Sequence, residues 1–241
     1  MVHNNMVHNN NICFITVYIG EDINVNIPEL PLPGHSYFIT NKKELVPNLK
    51  NKGWLPVLIH IPAIYTEDVI EKQIFYTTQC KKYRVFPQRY IQKQYNYIVS
   101  FDNKFNVNVS GTYKTINKPL TNAVALHKHI FIKNITEEFK KCIKCQERYN
   151  RQKEQYIKYI NEQIKSGLSK KYKKHYQAGY VIYNMLHPKT REIQNSWMEH
   201  IEKCGINDQI SFNFIAQIYP DIIEEYIYNY RDDRSKYILG L

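Results

Sequence analysis

Continuous apolar segments alternate with polar, turn-rich segments in the first half of the chain. Residues 12–19 form an unbroken apolar run rich in β-branched side chains, which predicts a buried central strand of a parallel sheet. Three prolines and a glycine between residues 28 and 34 indicate a loop. Further short strands are predicted at residues 35–40, 54–61, 95–101, 124–132 and 180–183.

Helical spacing occupies several of the intervals between these strands and most of the second half. Residues 67–78 place their apolar side chains on one side, and residues 103–122 are polar and turn-rich. Strands that alternate with helices predict an α/β fold with a mostly parallel central sheet, flanked by helices and followed by C-terminal helices. One domain is expected over residues 12–241, after a disordered polar leader at 1–11. The other helices are predicted at 136–167, capped by Thr136 and ended by Gly167, at about 191–204, from Asp208 to Pro220, and as an amphipathic tail from Asp221.

Composition and charge add a limited constraint. Heavy use of Asn, Ile, Lys and Tyr, including 21 tyrosines, indicates an AT-rich genome, either of a microbe or of a large DNA virus. The formal net charge of +11 favours anionic partners such as phosphates, nucleic acid or an anionic membrane. The basic residues are dispersed, however, and no RRM, KH or zinc-finger pattern is present, so nucleic acid is not the expected partner.

The cysteines and the apolar segments predict a location. Five cysteines, an odd number, follow no recognisable signal peptide, which favours reduced thiols. Residues 12–19 are too few to span a bilayer, and no other run is long enough. We therefore expect a soluble cytoplasmic protein, in the host cytoplasm if it is viral. Cys142 and Cys145 form a single CxxC within a predicted helix. Because a structural zinc site needs four ligands, we interpret both cysteines as core or surface thiols.

Asp102 is the first candidate for chemistry, because it ends a hydrophobic strand. Ligands of open α/β sheets bind outside the carboxyl ends of the strands. An acid there, followed by Asn103 and Lys104, can hold a divalent cation that bridges a diphosphate. The alternative is an Asp that only starts a turn.

Other candidates are basic, small or polar residues placed near predicted strand or helix ends. The structural alternatives are a solvated helix edge for the basic residues, a helix N-cap for Asp208, a surface position for Gln209, and polar residues on a strand face for the histidines. The candidates are Lys81, Lys82, Arg84 and Arg89 as phosphate ligands, Ala178 and Gly179 for close approach of a ligand to the backbone, Asp208 and Gln209 at a helix start, and His127 with His129 along one strand.

The order of short motifs resembles a known family. They are Val17-Tyr18-Ile19-Gly20, Tyr37-Phe38-Ile39-Thr40, Gly53-Trp54, Lys82-Tyr83-Arg84-Val85-Phe86-Pro87, Tyr97-Ile98-Val99-Ser100-Phe101-Asp102, His127, Gln177-Ala178-Gly179-Tyr180-Val181-Ile182, Trp197 and Asp208-Gln209-Ile210-Ser211-Phe212. Over roughly residues 12–219 they resemble the TOD/MUCI-type glycosyltransferase-like domain. The resemblance implies a GT-A fold with a layout similar to that of the glycogenin-like transferases.

The resemblance also implies roles for individual residues. Asp102 would begin a D-x-D-like metal motif for Mn²⁺ or Mg²⁺, with Asn103 and Lys104 beside the donor. Lys104 stands where the second acid is expected, so either Asp102 holds the metal with water and phosphate alone or Lys104 replaces the metal's charge. The remaining roles are Lys82 and Arg84 at the donor diphosphate, Ala178 and Gly179 along the donor sugar, Asp208 and Gln209 as catalytic residues near the sugar, and His127 on the acceptor side.

Three functions follow from these observations. The leading one is a hexosyltransferase that moves a sugar from a nucleotide-diphosphate donor, with UDP favoured, to a glycan or other hydroxyl acceptor. Retention of anomeric configuration is implied by the glycogenin-like layout. The alternatives are an inactive GT-A-like scaffold, which Lys104 favours, and a basic nucleic-acid-binding module with Tyr for stacking.

Overall fold

A twisted seven-stranded sheet forms the centre of the protein in a computed structural model, which describes residues 11–117 and 120–227. The strand order is β3-β2-β1-β4-β6-β5-β7. Six strands run in one direction, and β6 is antiparallel to both of its neighbours, β4 and β5. The strands are β1 Ile12–Tyr18, β2 Ser36–Thr40, β3 Leu55–Leu58, β4 Tyr97–Asp102, β5 Val124–Lys128, β6 Tyr176–Asn184 and β7 Ile223–Tyr226.

Helices cover both faces of the sheet, as parallel sheets require. Short 3₁₀ turns precede α1 and follow α2. The helices are α1 Val46–Asn51, α2 Val69–Val85, α3 Val109–Ile116, α4 Ile135–Cys145, α5 Glu147–Asn150, α6 Lys153–Lys165, α7 Thr190–Cys204 and α8 Asp208–Ile218. The predicted α/β fold with a mostly parallel sheet is confirmed.

The apolar run of β1 is continuous because this strand is buried on both faces. Cys13, Ile15 and Val17 belong to a core layer beneath α2, α7 and α8. Phe14 lies in the opposite layer, with Trp54 and side chains of α1 and α3. Each fully buried aliphatic or aromatic side chain contributes about 1.5–3 kcal/mol to the hydrophobic driving force, so β1 is a principal source of stability.

Three predicted elements differ from the structure. The tail predicted as a helix from Asp221 contains β7, which pairs in parallel with β5 at the edge of the sheet. The rest of that tail, from residue 228, and residues 1–10 of the predicted leader lie outside the described residues. The helix predicted over 136–167 is three helices. The region 103–122, expected to be a loop, contains α3, whose N-cap Asn108 accepts a hydrogen bond from the Gly111 N–H at 2.8 Å.

The break between α4 and α5 has a local cause. Gln146 has an extended backbone, with φ −149° and ψ 139°, between two segments that keep the helical period. Arg148 donates to the Thr77 hydroxyl at 3.0 Å, and Arg151 pairs with Asp68 at 2.9 Å. These contacts attach the connection between α4 and α6 to α2, where a straight helix would diverge. No helix within the described ranges is long and apolar enough to cross a membrane.

Candidate active site at the switch point of the sheet

Asp102 lies where the chain order of the sheet reverses. β2 adjoins one side of β1 and β4 the other, so the carboxyl ends of β1 and β4 flank a topological switch point, the usual ligand position in such sheets. The Asp102 Oδ1 atom is 2.5 Å from Arg84 Nη1, and its Oδ2 is 3.5 Å from Lys104 Nζ. Burial alone would raise the pKa of Asp102, but Arg84, Lys104 and Lys81 outweigh it and hold that pKa below its ordinary value.

Arg84 joins three elements at this point. It extends from the last turn of α2, and its side chain is 11% exposed. Besides Asp102, its guanidinium donates to the Ala178 carbonyl on β6 at 2.5 Å. The Tyr183 hydroxyl donates to the Arg84 carbonyl at 3.2 Å. Arg84 therefore links α2, β4 and β6 through a buried charge.

Lys81 lies one turn before Arg84 on the same side of α2. Its Nζ is 2.5 Å from Asp208 Oδ2. Both side chains are largely buried, with exposed fractions of 12% for Lys81 and 10% for Asp208. Asp208 is the first residue of α8, and the preceding Asn207 caps that helix by accepting from the Gln209 and Ile210 N–H groups at 3.1 and 3.3 Å. Asp208 is thus paired within the protein, and Gln209 is the neighbour that reaches the cleft.

A cleft of about 240 Å³ opens beside Asp102, and we call it the Asp102 cleft. Gly179 of β6 forms part of its wall: a Cβ there would lie 3.1 Å from Asp102 Oδ2 and 2.9 Å from the Phe105 ring. A side chain at this position would fill the space in front of the carboxylate. The lining consists of Asp102, Lys104, Phe105, His129, Ile132, Glu138, Lys141, Cys142, Cys145, Gln146, Tyr149, Gln177, Gly179, Asn207 and Gln209.

A buried polar network forms the far wall of the Asp102 cleft. Glu138 of α4 accepts from the Asn207 amide at 2.8 Å, and its other oxygen is 3.4 Å from His175 Nε2. The Asn213 amide is 3.2 Å from His175 Nδ1, so with the amide as donor the imidazole proton is on Nε2, toward Glu138. Burial would raise the pKa of Glu138, but its contacts with His175 and Asn207 outweigh this and lower it.

The two histidines predicted along one strand occupy different positions. His129 lines the Asp102 cleft, and its Nδ1 accepts from the Phe131 and Ile132 N–H groups at 3.2 and 3.0 Å. His127 lines a second, larger groove of about 1040 Å³ beside Tyr226 and several lysines. His129 belongs to both linings, so the groove adjoins the cleft.

The structure brings some of the predicted donor-binding and catalytic residues together and leaves others apart. Asp102, Lys104, Gly179 and Gln209 share the cleft, and Arg84 and the Ala178 backbone support it from behind. Within 11–117 and 120–227, the cleft lining includes neither Lys82 nor Asn103; the Asn103 amide donates instead to the Asn26 carbonyl at 3.1 Å.

Sequence reasoning missed Glu138 and left Lys81 as only one of four basic candidates. Glu138 lies in the first turn of α4, where an acid also favours the helix N-terminus for structural reasons alone. Its position on the buried face of α4, four residues before buried Cys142, was the available signal. Lys81 could have been found from its three-residue spacing to Arg84, which places both on one side of a helix.

The residues of the Asp102 cleft do not fit the divalent metal that the resemblance implies. Both Asp102 oxygens face cations, and the Asp208 carboxylate faces Lys81. The described part of the chain has no group of three His, Cys, Asp or Glu side chains placed to hold a metal ion. Hard divalent cations need several oxygen ligands, and here the nearest carboxylate already serves as a counter-ion.

Comparisons with known proteins place this geometry in a fold class. No protein-family model matches the sequence, and no curated protein matches it. The apo form of mouse xyloside xylosyltransferase 1 superposes with a TM-score of 0.50 at 10% identity, over 88% of this chain and 84% of that one. The fold is of the GT-A type.

Two further solved structures are less similar to this chain. The apo bifunctional glycosyltransferase WbbM has a TM-score of 0.47 at 12% identity, over 92% of this chain but 40% of that one. An active-site mutant of LgtC has a TM-score of 0.46 at 11% identity, over 88% of this chain and 71% of that one. Likeness at these identities shows the fold alone.

Proposed function

We propose that this protein is a glycosyltransferase that takes a sugar from a nucleotide-diphosphate donor in the Asp102 cleft. One observation carries the proposal: the carboxyl end of β4, the glycine wall of β6 and the capped start of α8 converge at the switch point of a GT-A sheet, with cationic side chains among them. This arrangement offers charge for a diphosphate and hydrogen-bonding groups for a sugar at adjacent positions.

The residue roles in this proposal follow the observed contacts. Lys104 meets the diphosphate, while Arg84 holds Asp102 and the Ala178 carbonyl in place. Gly179 and Gln209 contact the donor sugar. Asp208, predicted as a catalytic carboxylate, is paired with Lys81 and is assigned here as a positioning residue for Gln209.

The finer features of the reaction come from the resemblance and are part of the proposal. We take UDP as the nucleotide, a hexose as the sugar, and retention of configuration from the TOD/MUCI-type and glycogenin-like pattern. The acceptor is a glycan or another hydroxyl compound that approaches through the groove lined by His127. Loss of the leaving diphosphate is assisted by charge neutralisation, which lowers the barrier at the anomeric carbon.

A donor-binding panel tests the proposal. Thermal unfolding is measured with UDP-, GDP-, ADP- and CDP-sugars, because a ligand that binds only the native state raises Tm. A ligand at about 100 times its Kd adds about 2.7 kcal/mol, or about 5–10 °C for a domain of this size.

The panel includes a variant that blocks the cleft. Gly179→Val fills the space before Asp102, so it should abolish the shift with the preferred donor, whereas Ala63→Val on an exposed loop should leave the shift unchanged. A shift that survives in Gly179→Val would place the nucleotide elsewhere. The absence of any shift with the wild type would contradict the proposed function.

A further inference from the structure

The charge around the Asp102 cleft raises the question of what neutralises a bound diphosphate. Four cations, Lys81, Arg84, Lys104 and Lys141, lie at or beside the cleft with three carboxylates, Asp102, Asp208 and Glu138. Lys81 and Arg84 are buried and committed to carboxylates. Lys104 and Lys141 remain as the cations that face the opening.

Lys104 is suited to meet an incoming anion. Its side chain is 56% exposed, and its 3.5 Å contact with Asp102 is longer than the 2.5 Å contact between Asp102 and Arg84. The ammonium also lies 5.0 Å from the ring of Phe105, which lines the cleft together with Lys104. A small movement would bring this charge onto a phosphate while Asp102 keeps its closer partner.

Lys141 provides a second charge from the opposite wall. It is exposed, lies three residues beyond Glu138 on α4 and lines the cleft. Among the described residues, the salt bridges do not include Lys141. The two lysines therefore line the cleft from two elements, Lys104 from just after β4 and Lys141 from α4.

A divalent cation bound to Asp102 would be repelled by the positive charges of Arg84 and Lys104. A metal bound to either oxygen would lie within a few ångströms of the Arg84 guanidinium or the Lys104 ammonium, and like charges at that distance repel strongly in a partly buried site. Displacing Arg84 would also break its bond to the Ala178 carbonyl.

From these contacts we infer that the Asp102 cleft binds the diphosphate of its donor without a metal ion, with Lys104 and Lys141 supplying the charge. Asp102 is then the counter-ion of Arg84. This inference rests on the proposed function, since it concerns the donor in the same cleft.

The test is isothermal titration of the protein with UDP, GDP, ADP and CDP, in EDTA and in Mn²⁺. Wild type should bind one of these nucleotides with the same Kd, within twofold, in both conditions. Lys104→Ala should weaken that binding at least tenfold in EDTA, Lys104→Arg should retain most of it, and Lys50→Ala on exposed α1 should match wild type.

Two carboxylate variants separate the metal-free site from a metal site. Asp102→Asn should bind the nucleotide at least as tightly as wild type, because it removes a negative charge beside the diphosphate. Lys104→Asp, which creates a pair of acids, should bind weakly in EDTA and regain affinity in Mn²⁺.

Two results would overturn the inference in different ways. Binding by wild type that needs Mn²⁺ and is lost in Asp102→Asn would show a metal site and leave the proposed function in place. No binding of any nucleotide in either condition would overturn both the inference and the proposed function.

Discussion

At the residue scale, buried polar side chains determine the chemistry of the cleft. Arg84 carries a charge into the core and is matched by Asp102 and the Ala178 carbonyl, which is the condition under which a buried charge is tolerated. Asp102, Lys104, Gly179 and Gln209 could be singled out from the sequence because each adjoins the end of a predicted strand or helix, although Gly179 lies inside β6. Glu138 and His175 could not, because their meeting depends on how α4, β6 and α8 pack.

His129 provides a prediction at this scale. Burial chiefly lowers the pKa of His129 from 6.5 to about 4; Glu138 opposes the shift, and His175, Lys141 and His127 add to it. Between those two pH values the unfolded chain binds a proton that the folded protein does not, so stability falls as pH falls from 6.5 to about 4. Allowing for partial solvent exposure, the loss attributable to His129 is about 2 kcal/mol.

Urea unfolding across this pH range measures the effect. His129→Asn keeps an acceptor near the Phe131 and Ile132 N–H groups but removes the titration, so its stability should vary less between pH 6.5 and 4 than that of wild type. His60→Asn on the exposed surface is the matched control. Equal pH dependence in wild type and His129→Asn would contradict the assignment.

At the element scale, the strands follow the hydrophobic pattern and the exceptions have local causes. The apolar residues Ile222, Ile223 and Tyr226 of the tail are compatible with both helical and strand spacing. The tail forms a strand because β5 offers unpaired backbone groups with which it can pair. The helical period over 136–167 is real, but the extended residue Gln146 and a turn at Arg151 and Gln152 divide the segment into three helices, where it contacts α2. Such tertiary contacts are invisible to local periodicity.

The N-terminus of α8 provides the prediction at this scale. Asn207 both caps the helix and donates to Glu138, so Asn207→Ala should lower the free energy of unfolding by about 2 kcal/mol or more. Asn207→Ser keeps a capping oxygen but lacks the amide, so it should lower the free energy of unfolding by about half as much as Asn207→Ala. Asn134→Ala, at the partly exposed N-cap of α4, should lower the free energy of unfolding by about 1 kcal/mol.

Donor binding distinguishes a positioning role for Asn207 from a purely stabilising one. The Gln209 N–H donates to the Asn207 side chain at 3.1 Å, so Asn207→Ala should weaken binding of the preferred nucleotide sugar at temperatures where the variant is folded, and Asn134→Ala should not. Unchanged donor affinity in folded Asn207→Ala would show that the start of α8 does not contribute to the site.

At the scale of the whole molecule, the fold class was predictable and the assembly of the site was only partly so. Alternation of apolar strands with helices predicts a parallel sheet, and the carboxyl end of β4 marks the ligand side. The strand order, with β6 reversed between β4 and β5, brings Gly179 to Asp102 across 77 residues of sequence, from positions 102 and 179. The spacing of residues along the chain does not predict that Gly179 lies beside Asp102, nor which lysine of α2 pairs with Asp208.

Turnover tests the proposed sugar transfer most directly. Wild type is incubated with the preferred nucleotide sugar and a mixture of glycan acceptors, and release of free nucleoside diphosphate is followed by chromatography, with Gly179→Val and Gln209→Ala in parallel. We predict release by wild type, a loss of about 100-fold or more in Gly179→Val, and a loss of about 10-fold or more in Gln209→Ala, whose side chain is proposed to contact the sugar. Equal rates in all three proteins, or donor binding with no release under any condition, would contradict the claim that this cleft transfers sugar.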